Sequence, residues 1–100
     1  MPYEEAFAAL SHPLRQQILN ALEATPATVR ELTDQLDASQ PVISQHLKVL
    51  RQTGLVDATP QGVKRIYHIR PDRLQELRAF LEDHWKASLS ALAKDPRRDA

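Results

Sequence analysis

Apolar residues recur along most of this 100-residue chain at spacings of three and four, the mark of helices that bury one face. Ala6, Phe7 and Leu10 form a short first stripe, stopped at Ser11-His12-Pro13. Pro13 suits the first turn of a second helix, because its missing N–H would have no helical partner there. Leu14, Ile18 and Leu22 repeat every four residues beyond it, with Leu19 and Ala21 beside them. The loop "EATPAT" follows. Thr28-Val29-Arg30-Glu31 then has the form of a capping box, in which hydroxyl and carboxylate each satisfy an orphan amide. Val29, Leu32 and Leu36 carry the stripe of that third helix.

A polar turn, "DASQP", leads into a fourth helix whose faces differ sharply. Ile43, Leu47 and Leu50 share one side; Ser44, Lys48 and Arg51 share the other, flanked by Gln45 and Gln52. Gly54 fits the position just past its end. A helix of about nine residues, a turn of about four and a helix of about twelve make a helix-turn-helix. The spacing then shifts to period two. "LVDAT" and "KRIYHI" are expected as short strands, joined by a loop over Thr59-Pro60-Gln61-Gly62-Val63. Tyr67 and Ile69 fall on one strand face, Ile66 and His68 on the other. A mainly α fold with a small β-hairpin after a helix-turn-helix is a winged helix. Pro71 opens a last helix reaching about Lys94, with Leu74, Leu77, Leu81, His84/Trp85, Ser88 and Leu92 close to a heptad seam. Residues 1–95 are expected to form a single domain, with residues 96–100 a frayed tail.

Composition narrows the functional classes. Apolar residues make up 42% and charged residues 26%, which suits a soluble globular chain. No apolar run approaches the ~20 residues that cross a bilayer. The N-terminus carries two acids and no basic stretch, unlike a secretory signal. With no cysteine there are no disulfides and no thiolate metal sites, so a cytoplasmic location is expected. Net charge is zero, but its distribution is uneven. Residues 40–70 hold five basic side chains (Lys48, Arg51, Lys64, Arg65, Arg70) and one acid, Asp57, a local excess of four positive charges. Local charge sets the surface potential that a polyanion meets.

The polar face of the fourth helix therefore points to double-stranded DNA. A Gln carboxamide pairs bidentately with adenine, an Arg with guanine, and Ser with either. Ser44, Gln45, Lys48 and Arg51 are the candidate contacts of that helix; Lys64 and Arg65 are candidate phosphate contacts at the hairpin tip. Catalysis has no support. Asp83 and His84 are adjacent and point about 100° apart on a helix. There is no Gly-rich phosphate loop and no nucleophile motif, so neither an enzyme nor a cofactor is expected. His12, His46, His68 and His84 form no H-x-E pattern and no i, i+4 pair with a carboxylate on one helix. His46 is expected to be partly packed and hydrogen-bonded, His12 to belong to a helix start, and none to hold a metal. The apolar side of the last helix exceeds what a small core needs. Phe7, Leu10, Leu77, Leu81, Trp85 and Leu92 are therefore expected to meet a second copy of the chain.

Three segments, "ALSHPLRQQIL", "VRELTDQLDASQPVISQHLKVLRQTGLV" and "GVKRIYHI", resemble the ArsR family of bacterial winged-helix repressors. The likeness runs continuously over about residues 5–70, and the long final helix fits that family's dimerisation helix. It implies a homodimer built from the first and last helices, an operator of inverted repeats, and repression relieved by a signal. It also carries DNA contact onto Gln40, Ser44, Gln45, Lys48 and Arg51 of the recognition helix, and onto Lys64 and Arg65 of the wing. The family's metal sites are not matched. Val29-Arg30-Glu31-Leu32-Thr33 stands where its thiolate ligands lie. In the last helix Asp72 is followed two residues on by Leu74, and Trp85 and Ser88 occupy the later ligand positions. His84 is one residue out of register. The ending "DHWKASLSALAK" resembles the non-metal branch. A metal-responsive repressor with an atypical His/Asp site, and a winged helix that binds protein, stand as the alternatives. Nothing in the residues names an inducer or an operator.

Overall fold

The computed structural model describes residues 3–93, except for the side chains of Leu89, Leu92 and Ala93. The expected frayed tail and the end of the expected domain lie outside those residues. Five helices and one hairpin follow in the order α1 (Glu4–Leu10), α2 (Pro13–Ala24), α3 (Val29–Gln35), α4 (Gln40–Gln52), β1 (Val56–Gln61), β2 (Lys64–Ile69) and α5 (Pro71–Ala93).

Local chemistry places the helix ends. His12 caps α2, its Nδ1 accepting the Leu14 N–H at 3.2 Å, with Pro13 at the start. The capping box of α3 is complete: Glu31 N–H donates to the Thr28 hydroxyl at 3.2 Å, and Thr28 N–H donates to the Glu31 carboxylate at 2.9 Å. α4 ends in a Schellman motif. Gly54 takes φ +79°, its N–H donates to the Arg51 carbonyl, and the Leu55 N–H reaches back to Leu50. Leu50 and Leu55 are both fully buried, the apolar pairing that accompanies this cap.

Ile18, Leu32, Ile43, Leu47, Leu50, Leu55 and Val56 form the deepest part of the core. Each of α2, α3 and α4 therefore turns its expected stripe toward the core, with Leu14, Val29 and Leu36 half-buried against it. Differences appear at the margins. α3 has seven residues, shorter than the expected nine, because Leu36 has already turned to extended backbone. In α1 it is Ala6 and Ala9 that enter the core, while Phe7 and Leu10 are half-buried. Small side chains let this short helix lie close against its neighbours.

The hairpin is tighter than the expected five-residue loop. β1 runs on through Gln61, and Gln61 pairs with Lys64, leaving Gly62 and Val63 as the turn. Gly62 has φ +64°, the positive value that a two-residue II′ hairpin turn requires at its first central position. Pro60 is tolerated because a two-stranded sheet has only edge strands. Ala27 adds a single bridge to Tyr67, with N–H···O distances of 3.0 and 2.8 Å in the two directions. This bridge fixes the hairpin against the loop before α3, and so against the α3–α4 pair. The molecule measures 62 × 25 × 23 Å. Its length comes from α5, whose 23 residues span about 35 Å.

Candidate nucleic-acid interface

The core stripe of α4 dictates what its opposite side presents. With Ile43, Leu47 and Leu50 fully buried, the rotation of 100° per residue turns Ser44, Gln45, Lys48, Arg51 and Gln52 outward, and all are exposed. Gln40, the first residue of the helix, is exposed as well. The hairpin stands beside this face and the two enclose a groove of about 500 Å³. Ser44, Lys48, Arg51 and Gln52 line one wall; Asp57, Arg65, Tyr67 and Arg70 line the other. Four cations thus face a single carboxylate.

A second hollow, about 700 Å³, lies between α3, the start of α4 and the hairpin tip. Gln40 and Lys64 border it, together with Arg30, Glu31 and Asp34. Arg65 borders both hollows and so connects them. Of the seven residues expected to touch DNA, six border one hollow or the other. Gln45 stands outside both, exposed on the outer side of α4. Arg70, Asp57 and Arg30 were missed among the site residues. The cluster of basic residues over 40–70 contained the signal for Arg70, but its place one residue past β2 hid its return to the groove. No local sequence signal would have found Arg30. Val42, on the outer side of α4, is 40% exposed and adds an apolar contact point.

The electrostatics of the site are local. Arg51 Nη2 lies 3.8 Å from Asp57 Oδ1. Arg70 is held more tightly by Asp72, at 2.7 Å. That hydrogen bond holds the Asp72 carboxyl below its usual range. Glu31 is likewise lowered, chiefly by the Thr28 N–H it accepts, then by the Thr28 hydroxyl, with Lys64 adding a smaller effect. Behind the groove, Arg15 joins three helices. Its Nη1 donates to the Ala9 carbonyl of α1 at 3.3 Å, and its Nε donates to Nδ1 of His46 in α4 at 3.2 Å. The His12 ring lies 4.4 Å from that of His46. Burial, then His12 and Arg15, push the His46 pKa below its ordinary value. His46 is thus partly packed and hydrogen-bonded, and His12 is a cap, as their positions implied.

A separate apolar surface lies where α1 meets α5. Tyr3, Phe7 and Phe80 cluster with ring centroids 5.0 to 6.4 Å apart, and Arg73 sits 5.2 Å over the Tyr3 ring. Tyr3 and Phe80 escaped the sequence reading, which followed the leucines instead. Leu81 and Trp85 stand 54% and 68% exposed just beyond this cluster. Leu77 requires a correction. It is 3% exposed and belongs to the chain's own core, so it is not free to meet a second copy. The Leu92 side chain falls outside the described residues. His84 stacks on Phe80 at 4.1 Å, and Asp72 is engaged by Arg70. Among the described residues no three His, Asp or Glu side chains are grouped to hold a metal ion.

Comparison with known proteins agrees with this arrangement. Residues 12–58 match the family model described as "Bacterial regulatory protein, arsR family". The HTH-type transcriptional regulator Rv2034 of Mycobacterium tuberculosis is 37% identical over 91 residues, covering 91% of this chain and 85% of that protein. An ArsR-like transcriptional regulator from Rhodococcus sp. RHA1 superposes with a TM-score of 0.79 at 29% identity, over 90% of this chain and 88% of that one. The transcriptional repressor BigR from Xylella fastidiosa superposes with a TM-score of 0.63 at 30% identity, over 75% and 78%.

Proposed function

This chain belongs to the arsR family of bacterial regulatory proteins and is a DNA-binding transcriptional regulator rather than an enzyme; from that premise we propose that it is a homodimeric repressor of an inverted-repeat operator. The observation that carries the reading is the groove between α4 and the hairpin, where Lys48, Arg51, Arg65 and Arg70 converge. In this reading α4 enters the major groove. Ser44, Gln45 and Arg51 meet base edges, while Lys48, Lys64 and Arg65 neutralise phosphates and Gln40 approaches the backbone at the helix start. Phe7, Leu10, Leu81, Trp85 and Leu92 join two copies across a two-fold axis, with residues 1–95 as the folded unit. That axis spaces the two α4 helices by about one DNA turn, ~34 Å, and so selects a palindromic site. The protein works in the cytoplasm, where its DNA is.

A mobility shift with the DNA upstream of its own gene tests the reading. Expected is a discrete complex on one symmetric site, indifferent to EDTA and to zinc. A complex that zinc dissolves or EDTA restores would make the protein a metal-responsive repressor. Failure to bind any duplex at low salt would leave a winged helix that serves protein contacts alone.

A further inference from the structure

Asp57 is the odd residue of the groove. It carries the one acid of residues 40–70, and it lies among four cations where the proposed DNA backbone would pass. Its Oδ1 accepts the Ala58 N–H at 2.8 Å, which fixes the carboxylate at the start of β1. The same oxygen lies 3.8 Å from Arg51 Nη2, with the two side chains 51% and 39% exposed. A locked charge-assisted hydrogen bond spans 2.7–2.9 Å. Arg70 and Asp72 have that geometry at 2.7 Å. The Arg51–Asp57 pair is looser, and water reaches both partners. Arg51 is therefore restrained without being committed.

We propose that Asp57 is a specificity-determining residue: it retains Arg51 against the protein on non-specific DNA and yields it to a base edge on the operator. Binding to random duplex comes almost wholly from neutralising phosphates. A carboxylate in the groove repels those phosphates and occupies one of the cations that would meet them. Both effects weaken random binding. On the operator the guanidinium gains a directed partner in the major groove, which replaces the loose ion pair. Asp57 thus widens the gap between the two affinities while lowering both. The inference rests on the DNA-binding reading above and assigns within it a role to a residue that touches no base.

The test is Asp57→Asn, which keeps the oxygen that accepts from Ala58 and removes the charge. Wild-type protein first enriches an operator from a pool of randomised duplexes. Affinities are then measured on that operator and on a scrambled duplex of equal length, over a range of salt. An exposed ion pair changes an equilibrium by a factor of roughly 1.5 to 5, and a dimer holds one in each copy. Random-duplex affinity should therefore rise about tenfold, and operator affinity by less than about threefold. The salt slope on random duplex should steepen by roughly 0.9 for each added phosphate contact. In an Arg51→Gln background the same substitution should leave the ratio unchanged. Asp57→Ser serves as a second neutral variant should thermal melting show the first to be unfolded. Equal gains on both duplexes, or a fall in the ratio that persists without Arg51, would overturn the role. Failure of the wild type to enrich any site would instead overturn the DNA-binding reading itself, before any variant is made.

Discussion

Replacing Trp85 with alanine separates two things that a core substitution confuses: the stability of one chain and the association of two. The indole is 68% exposed in the single chain. Little of it is held by its own helix bundle, so truncation should barely change the melting of a monomer. In the proposed dimer the same surface is covered. A Trp side chain buries up to about 250 Å², so roughly 170 Å² of it remains to be covered by a partner. At about 25 cal/mol per Å² this corresponds to at most ~4 kcal/mol per copy. Association does not return area at that rate, because ordering and imperfect desolvation oppose it. Half that value in each copy gives about 4 kcal/mol per dimer, close to a thousandfold in the dimerisation constant. Sedimentation equilibrium from ~0.1 to ~50 μM measures it. Operator affinity should fall with the dimer population, although α4 and the hairpin are untouched. A wild type that sediments as a monomer at ~10 μM and still binds a palindromic site tightly would refute the reasoning. So would a Trp85→Ala protein that dimerises as well as its parent.

Other expectations concern the DNA face and its support. Lys64→Ala with Arg65→Ala should weaken binding on every sequence and make the slope of log K against log salt shallower by roughly 0.9 per lost phosphate contact; an unchanged slope would remove the hairpin from the interface. Gln45→Ala should cost about 1–3 kcal/mol on the operator and far less on random duplex, and equal losses would demote Gln45 to a structural role. His46 has a folded-state pKa below its ordinary 6.5, so its contribution to stability is complete above that value and is lost as pH falls through the lowered pKa. Urea unfolding between pH 7.5 and 5 should show that loss and His46→Gln should flatten it, whereas a wild type gaining stability as pH falls through this range would contradict the packing of His46 beside His12 and Arg15.

How much of this was legible in the sequence follows from the reach of each interaction. Features decided within one or two helical turns were read correctly. The Thr28–Glu31 box, the Gly54 cap and the buried stripe of α4 each depend on residues a few positions apart. The hairpin loop was misjudged because Pro60 and Gln61 have turn chemistry in isolation; pairing with Arg65 and Lys64 carried them into β1. The burial of Leu77 was misassigned for a different reason. A heptad stripe says that a helix has an apolar side, but not where along its length its own core gives way to solvent. That handover falls between Leu77, at 3% exposure, and Leu81, at 54%. Asp57 and Arg70 belong to a groove formed where the hairpin folds back beside the helix that precedes it, and no periodicity reports how two neighbouring elements pack.

The arrangement also explains why a protein of zero net charge suits this task. Its charges are not balanced pair by pair. Acids of the first 39 residues outnumber bases six to two, while the groove-forming third carries the opposite excess. A polyanion therefore meets a concentration of positive charge at the groove, which favours orientation before contact. At physiological salt the attraction reaches about 8 Å, so it acts over the groove and fades across the body of the domain. Arg15 sits at the junction of the two surfaces. It ties the α1 carbonyl of Ala9 to His46 on α4, so the helix that bears Phe7 and the helix that bears the proposed DNA contacts share one guanidinium. Arg15 thus adds a polar tie, ending on a titratable imidazole, to the direct packing of α1 against α4.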